Sequence, residues 1–194
     1  MLRREFLSLT AALPLLAAMA PGAAAGALYA SPPSATSAFV RFVGVQGTAT
    51  VTWQGHEFAL SDYAEGRYIA IESAEIGAAA ADYLTIVVTD GLAQFHFIEE
   101  PRVKGKVALQ FLNLAAEPAG LATPDGSIAI FEGVAANDLA ARLINPVKVP
   151  VQASAGAQAS ATLELALSRD SQPLLVLRPD YSLQLLDSRL TGNG

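Results

Sequence analysis

The sequence has no cysteine and only two histidines among its 194 residues. Without cysteine there is neither a disulfide nor a thiolate metal site, so the fold depends on burial of apolar side chains. After the N-terminal segment, no hydrophobic run reaches the roughly 18 residues that a membrane-spanning helix needs. Basic residues are also scarce, since 12 Lys and Arg against 18 Asp and Glu give a formal net charge of -6. This acidic balance disfavours nucleic acid and anionic lipid as partners.

The two histidines restrict the ways in which the chain can build a hydrolytic site. A Ser-His-Asp hydrolase needs one of them as its base, and in SGNH-type esterases and acetyltransferases the base follows its aspartate by three residues. Three residues before His56 stands Trp53. Three residues before His96 stands Ala93, so neither histidine fits. We find no Gly-Asp-Ser block, Gly-x-Ser-x-Gly elbow, Walker motif or dinucleotide motif, and therefore expect no catalytic, metal or cofactor-binding residue and a protein that is not an enzyme.

The N-terminal segment has the three parts of a secretory signal. Basic Arg3-Arg4 precedes the apolar stretch from Phe6 to Ala20, and Ala23-Ala24-Ala25 offers small residues for cleavage. We therefore predict a signal peptide over residues 1–25 and an exported mature chain that does not insert into the membrane. The run from Arg3 to Leu7 also fits the twin-arginine export pattern, so both export routes stay open.

Downstream of this segment, apolar and polar residues alternate with the period of strands that have one buried face. Turn signals such as Gln54-Gly55 and Asp90-Gly91 separate the alternating stretches. The charge cluster from Glu99 to Lys106 contains a proline and a glycine, which is typical of a boundary. We predict an all-β protein with two small β-sandwich domains packed together, over residues 36–100 and 101–194. One helical turn is expected from Ala135 to Leu143.

Three side-chain groups allow a structural and a functional interpretation. The adjacent carboxylates Glu99 and Glu100 are not expected to share an acid–base site, because neighbouring strand residues point to opposite faces. They are instead expected to belong to a solvated, charged linker. His96 is expected to be a solvent-facing strand residue. The aromatic residues suit either a platform for stacking sugar rings or the core, and the core is favoured because Trp53 alternates in phase with Val51. These aromatic residues are Trp53, Tyr63, Tyr68, Tyr83, Phe131 and Tyr181.

Several short sequence blocks together resemble one protein family. They are Ala27-Leu28-Tyr29, Ser37-Ala38-Phe39-Val40-Arg41, Asp82-Tyr83-Leu84-Thr85, Glu100-Pro101 followed by Lys104 and Lys106, Ala108-Leu109, Asn113-Leu114, and Ile144-Asn145-Pro146-Val147-Lys148-Val149. In these blocks the chain resembles the AlgF family of periplasmic accessory proteins of alginate O-acetylation. The resemblance implies paired β-sandwiches similar to carbohydrate-binding modules. It also implies a non-enzymatic role beside a membrane acyltransferase and periplasmic SGNH-type acetyltransferases.

Two functions follow as alternatives. The first is a periplasmic adaptor that holds an acetyltransferase of the polysaccharide acetylation machinery, and the second is a carbohydrate-binding module that grips the polymer. The candidate contact residues for partner or polymer are Lys148, Arg102, Lys104, Lys106 and Tyr181. An exposed strand edge from Tyr181 to Ser188 is expected to suit strand addition by a partner.

The block from Ile144 to Val149 allows a more detailed prediction. Pro146 should direct the chain into a strand, with Val147 and Val149 pointing inward and Lys148 outward. Asn145 is expected to bond to backbone groups at the start of that strand.

Overall fold

The computed structural model describes residues 33–45, 49–60, 63, 65–99 and 103–186, which belong to a single compact unit. The predicted signal peptide and Arg102 lie outside this part of the chain.

The described part consists almost entirely of strands. In chain order they are β1 (Ser37–Val43), β2 (Thr50–Trp53), β3 (His56–Ala59), β4 (Ile69–Glu72), β5 (Tyr83–Thr89), β6 (Leu92–Ile98), β7 (Val107–Asn113), β8 (Ala119–Ala122), β9 (Ala129–Val134), β10 (Asp138–Ile144), β11 (Lys148–Ala155), β12 (Gln158–Ala159), β13 (Leu163–Ala166), β14 (Leu174–Leu177) and β15 (Leu183–Leu186). A single helical turn, α1 (Ser73–Ile76), follows β4. The prediction of an all-β fold is confirmed.

The first six strands form one sheet, sheet 1, in the order β3-β2-β6-β5-β1-β4. In a flat sheet, β3 and β1 would stand roughly 19 Å apart, because neighbouring strands are spaced by about 4.8 Å. The rings of Phe58 in β3 and Phe42 in β1 nevertheless lie 5.6 Å apart. Sheet 1 therefore curls over its own apolar cluster, which includes Val40, Trp53 and Ile86.

The remaining strands form a sandwich of two sheets. Sheet 2 has the order β10-β7-β14-β15, and sheet 3 has the order β12-β11-β8-β9, with β13 paired to β11. Their facing side chains make one core, in which the rings of Phe111 and Phe131 stack 5.8 Å apart. Alternation explains this arrangement, since Leu109 and Phe111 point from β7 toward sheet 3.

The other face of sheet 2 packs against sheet 1. Leu112, Leu174 and Val176 of sheet 2 share an apolar cluster with Val43 and Val87 of sheet 1. Strands β1, β5, β7 and β14 are therefore buried on both faces, which is the reason for their nearly continuous apolar sequences. Sheet 1 takes its strands from residues before 99 and sheets 2 and 3 from residues after 106. The domain limits 36–100 and 101–194 stay a prediction.

The helical turn predicted from Ala135 to Leu143 is wrong. Residues Asp138–Ile144 form β10, which pairs with all seven residues of β7. Asn137, just before β10, has a φ of 59°, which lies in the left-handed region typical of turns. The apolar spacing of this segment fits either structure, and the long antiparallel ladder with β7 decides for the strand.

Candidate functional site

A cluster of polar side chains lies buried between sheet 1 and sheet 2. Its members, called the Glu99 cluster below, are Arg41, Tyr68, Thr85, Glu99, Gln110 and Gln172. Arg41, Tyr68, Thr85 and Glu99 belong to the part of the chain that builds sheet 1. Gln110 lies in β7, and Gln172 lies just before β14. The cluster therefore joins the two halves of the described chain.

The carboxylate of Glu99 accepts bonds from five side chains. Thr85 Oγ1 donates to Oε1 over 2.5 Å, and Arg41 Nη2 lies 3.0 Å from the same oxygen. The second oxygen, Oε2, accepts from the Tyr68 hydroxyl at 2.6 Å. It also accepts from Gln110 Nε2 at 2.7 Å and from Gln172 Nε2 at 2.6 Å. Both carboxylate oxygens are thus fully used, as a buried charge requires.

Arg41 is the positive member of the cluster. Its Nε donates to Thr85 Oγ1 at 2.7 Å, and its Nη2 also donates to Gln110 Oε1. The guanidinium carbon lies 4.9 Å from the centre of the Tyr68 ring, which adds a cation–π contact. Its Nη1 is buried and has no hydrogen-bond partner in the described structure. Neither Arg41 nor Glu99 has any exposed side-chain surface.

The expectation of a solvated linker at Glu99 is therefore wrong. The backbone N–H of Glu99 donates to the Tyr83 carbonyl at 2.8 Å, which continues the β5–β6 pairing and turns the side chain inward. Glu100 lies outside the described residues.

A cleft opens along the edge of the sandwich of sheets 2 and 3, where β9 and β10 are the outermost strands of their sheets. We call it the β9–β10 cleft, and its volume is about 410 Å³. It is lined by Lys106, Leu109, Thr123, Ile128, Ala129, Ile130, Arg142, Leu143, Ile144, Asn145, Val147, Val149, Leu165 and Leu167. Core residues such as Leu109 and Leu165 form its floor. Its rim includes Ile128, Leu143 and Val147, which are unusually exposed for large apolar residues.

Two cations stand at this cleft. Lys106 Nζ donates to Asn145 Oδ1 at 2.8 Å, and Arg142 Nη1 donates to the Ile130 carbonyl at 3.0 Å. Lys106 and Arg142 are both exposed. The nearby carboxylate of Asp125 is held by its own turn, where bonds from Thr123 and Ser127 keep its pKa below the usual value. The cleft therefore combines an aliphatic floor with a positively charged rim.

A second cleft, of about 490 Å³, lies between β6 of sheet 1 and strands β7 and β10 of sheet 2. Its lining includes His96, Ile98, Glu99 and Gln110. His96 is exposed, as expected, and its ring lies 5.8 Å from that of Trp53. Because the Glu99 side chain is enclosed, His96 is the exposed ionisable side chain of this cleft.

The predicted contact residues do not form one site. Lys106 lines the β9–β10 cleft, and Lys104 is exposed two residues before it. Lys148 is exposed on β11. It does not line the β9–β10 cleft, although its neighbours Val147 and Val149 do. Tyr181 is half-buried and follows β14. The last residue of β14, Leu177, pairs with Asn113 at the end of β7, and Lys106 lies at the other end of β7, about 20 Å away. Whether these residues contact a partner stays a prediction.

Two details of the Ile144–Val149 prediction need correction. Val147 does not point inward, since it is 41% exposed at the cleft rim. Asn145 is exposed and accepts a bond from Lys106 rather than bonding to the backbone at the start of β11. Val149 packs against the core, and Lys148 is exposed, as predicted. Strand β11 begins only at Lys148, so Val147 precedes the alternation.

The aromatic residues belong to the core, as the favoured interpretation predicted. Trp53, Tyr68 and Phe131 are buried. The other three, Tyr63, Tyr83 and Tyr181, are half-buried. Tyr63 shows the role of these residues, because its hydroxyl accepts from the Phe42 N–H at 2.7 Å and donates to the Arg67 carbonyl at 2.6 Å. Its burial raises the pKa of this hydroxyl far above the usual value.

Sequence reasoning missed Arg142 and most of the Glu99 cluster. Arg41 gave a signal, as a lone charge inside an apolar strand. Arg142 gave none, because its place in the cleft depends on the register of β10 against β7. Within the described residues, no three His, Cys, Asp or Glu side chains are grouped as metal ligands. No helix in that part of the chain is long and apolar enough to cross a membrane.

Comparison with known proteins gives the family. Among solved structures, the C-terminal domain of AlgF from P. aeruginosa matches with 26% sequence identity and a TM-score of 0.37. This match covers 43% of the present chain and 96% of that chain. No curated protein matches the chain. The family model described as "Alginate O-acetyl transferase AlgF" matches residues 10–172, which is most of the sequence. The chain therefore belongs to the AlgF family, which is associated with the O-acetylation of alginate.

Proposed function

We propose that the protein is a non-catalytic periplasmic adaptor for the O-acetylation of alginate or a similar exported polysaccharide. It binds a periplasmic SGNH-type acetyltransferase and holds it near the membrane acyltransferase that supplies acetyl groups. Family membership supports the process, and the predicted signal peptide supports the compartment. The family description names an acetyl transferase, and we assign the transfer itself to the partner enzyme.

The main support for this proposal is the structural role of the Glu99 cluster. A carboxylate that acts as an acid, base or nucleophile has to contact the substrate. Glu99 is enclosed, and five donors occupy its oxygens. The bonds from Gln110 and Gln172 to Glu99 instead fix sheet 1 against sheet 2, which suits a rigid platform whose function lies in its outer surface.

Co-purification tests the adaptor role. The full chain with a C-terminal tag is expressed at natural levels and purified from solubilised membranes, and an unrelated tagged periplasmic β protein serves as the control. We expect the SGNH-type acetyltransferase in the eluate of the tagged chain and not in that of the control. If the acetyltransferase is missing from both eluates, the adaptor role is wrong.

Polymer binding is the second candidate, and the two cations of the β9–β10 cleft favour it. Lys106 and Arg142 suit the carboxylates of a uronate polymer. The cleft lining contains no aromatic side chain on which a sugar ring would stack, so we rank this candidate second. Calorimetry with acetylated and unacetylated alginate oligosaccharides distinguishes the two. The adaptor role predicts flat traces at millimolar ligand, whereas saturable heat that Lys106→Ala abolishes would establish polymer binding.

A further inference from the structure

We propose that the β9–β10 cleft is a docking site for an extended polypeptide segment of the partner enzyme. In this segment every second residue is aliphatic, and Asp or Glu residues flank the aliphatic positions. The segment adds to sheet 2 as a strand beside β10. This inference rests on the adaptor function and names the surface through which it acts.

The first argument is the open edge of sheet 2. Within the described structure β10 pairs only with β7, and β9 pairs only with β8. Alternate N–H and C=O groups of an edge strand point away from its single neighbour, so a further strand can bond to them. Strand addition of this kind is a common way in which sheet proteins bind peptides.

The second argument is the composition of the cleft. A strand beside β10 would direct every second side chain toward sheet 3, over Leu109, Ile130 and Leu165. These residues are aliphatic, and the volume of about 410 Å³ is sufficient for a few aliphatic side chains. The exposed apolar residues at the rim are Ile128, Leu143 and Val147, and an added strand would cover them.

The third argument is charge. Arg142 lies on β10 itself, and Lys106 is bonded to Asn145 just past the end of that strand. Arg142 uses Nη1 on the Ile130 carbonyl, and its other guanidinium nitrogens make no hydrogen bond in the described structure. Acidic residues on both sides of the aliphatic positions would meet these two cations. A basic segment would be repelled.

Strand β15 is the other edge of sheet 2 and the one that the sequence suggested for strand addition. The two clefts described above lie elsewhere, and the lining of neither includes a β15 residue. The positions of Lys106 and Arg142 favour β10 as well, because both side chains lie at the β10 edge of sheet 2. The cleft thus gives the β10 edge a selectivity that β15 lacks.

Selection from a displayed library of random 12-residue peptides tests the proposal. The mature chain is the target, the variant Lys106→Glu/Arg142→Glu is the counter-target, and Arg67→Glu is a single charge reversal in the other half of the chain that serves as a control. We expect a consensus of alternating aliphatic residues flanked by Asp or Glu. The consensus peptide should bind at least tenfold more weakly to the double variant and equally well to Arg67→Glu, as measured by fluorescence anisotropy.

Hydrogen exchange on the unaltered chain gives an answer even if the double variant fails to fold. Bound peptide should protect backbone amides of residues 142–144 and leave those of β15 unchanged. The proposal is overturned by a selection without binders, by a basic or aromatic consensus, or by protection at β15. It is also overturned if alginate oligosaccharides displace the peptide, or if the chain dimerises through β10 and excludes it.

Co-purification with the double variant separates this proposal from the adaptor function. If the acetyltransferase binds the unaltered chain and also the folded double variant, the adaptor function stands and the docking site is wrong. If it binds neither, the adaptor function itself fails. Binding to the unaltered chain and to Arg67→Glu, with loss in the double variant, supports both.

Discussion

At the scale of single residues, the structure depends on a buried ion pair in an otherwise apolar contact between sheets. Arg41 lies in β1, and its neighbours along the chain, Val40 and Phe42, are fully buried. Taking two charges out of water costs several kcal/mol for each ion. Here the cost is offset by the bonds of Thr85, Gln110 and the rest of the Glu99 cluster. The bonds of this pair to Gln110 and Gln172 therefore specify how the two sheets fit together.

We predict that Glu99→Gln lowers the free energy of unfolding by about 3–5 kcal/mol, which is the usual cost of removing one partner from a buried pair. The amide would also place a donor among groups that are already donors. Urea unfolding followed by circular dichroism measures the change. Glu57→Gln, at an exposed position of β3, is the control and should stay within about 0.5 kcal/mol of the unaltered chain. Equal stability of the two variants would contradict the role assigned to the cluster.

Only part of this cluster was predictable from the sequence. Arg41 and Gln110 are visible as polar residues inside apolar strands, and each indicates a buried partner. Glu99 was assigned to solvent because its neighbours along the chain are charged. Its actual neighbours come from distant segments, and local composition carries no information about them.

At the scale of elements, close contacts join the turn before β4 to strand β15. Gly66 has a φ of +82°, and a Cβ added to it would lie 2.5 Å from the Cβ of Leu186. Beside it, Glu65 forms an ion pair with Arg178 at 2.7 Å. A glycine is required at position 66 both by its backbone conformation and by the space that Leu186 occupies.

A pair of glycine substitutions separates these two effects. Gly55 has nearly the same φ, +83°, but nothing lies within 4 Å of an added Cβ. Gly55→Ala should therefore cost about 1–2 kcal/mol for the left-handed conformation alone. Gly66→Ala should cost about 1–3 kcal/mol more, because backbone or side chains must move. Thermal unfolding of both variants measures the difference, and equal melting temperatures would show that Leu186 does not restrict this site.

Prediction of the elements themselves succeeded where alternation was regular and failed at β10. Phe95 and Phe97 alternate with exposed Gln94 and His96 along β6, so the strand was evident from the sequence. In β10 the apolar spacing also fits a helical turn, and only the pairing with β7 distinguishes the two. The same pairing brings Arg142 to the cleft that Lys106 lines. The sequence indicated Lys106 as a candidate contact residue but gave no indication of Arg142.

At the scale of the whole molecule, the described strands form three sheets that pack in series with sheet 2 in the middle. Sheet 2 presents Leu109 and Phe111 to sheet 3, and Gln110 and Leu112 to sheet 1. Sequence alternation predicts that both faces of such strands are buried. It does not say which sheet covers each face, because any apolar surface of suitable shape can do so.

The central claim is that the chain serves acetylation through its docking surface and not through chemistry of its own. Acetyl groups per uronate in secreted alginate test this most directly, in a strain that lacks its own copy and carries one of three versions of the chain. The versions are the unaltered chain, His56→Ala/His96→Ala and Lys106→Glu/Arg142→Glu, with protein levels matched by immunoblot. We expect full acetylation with the histidine variant and, with the cleft variant, acetylation as low as in the strain without the protein. Loss of acetylation in the histidine variant, with full acetylation in the cleft variant, would contradict the account.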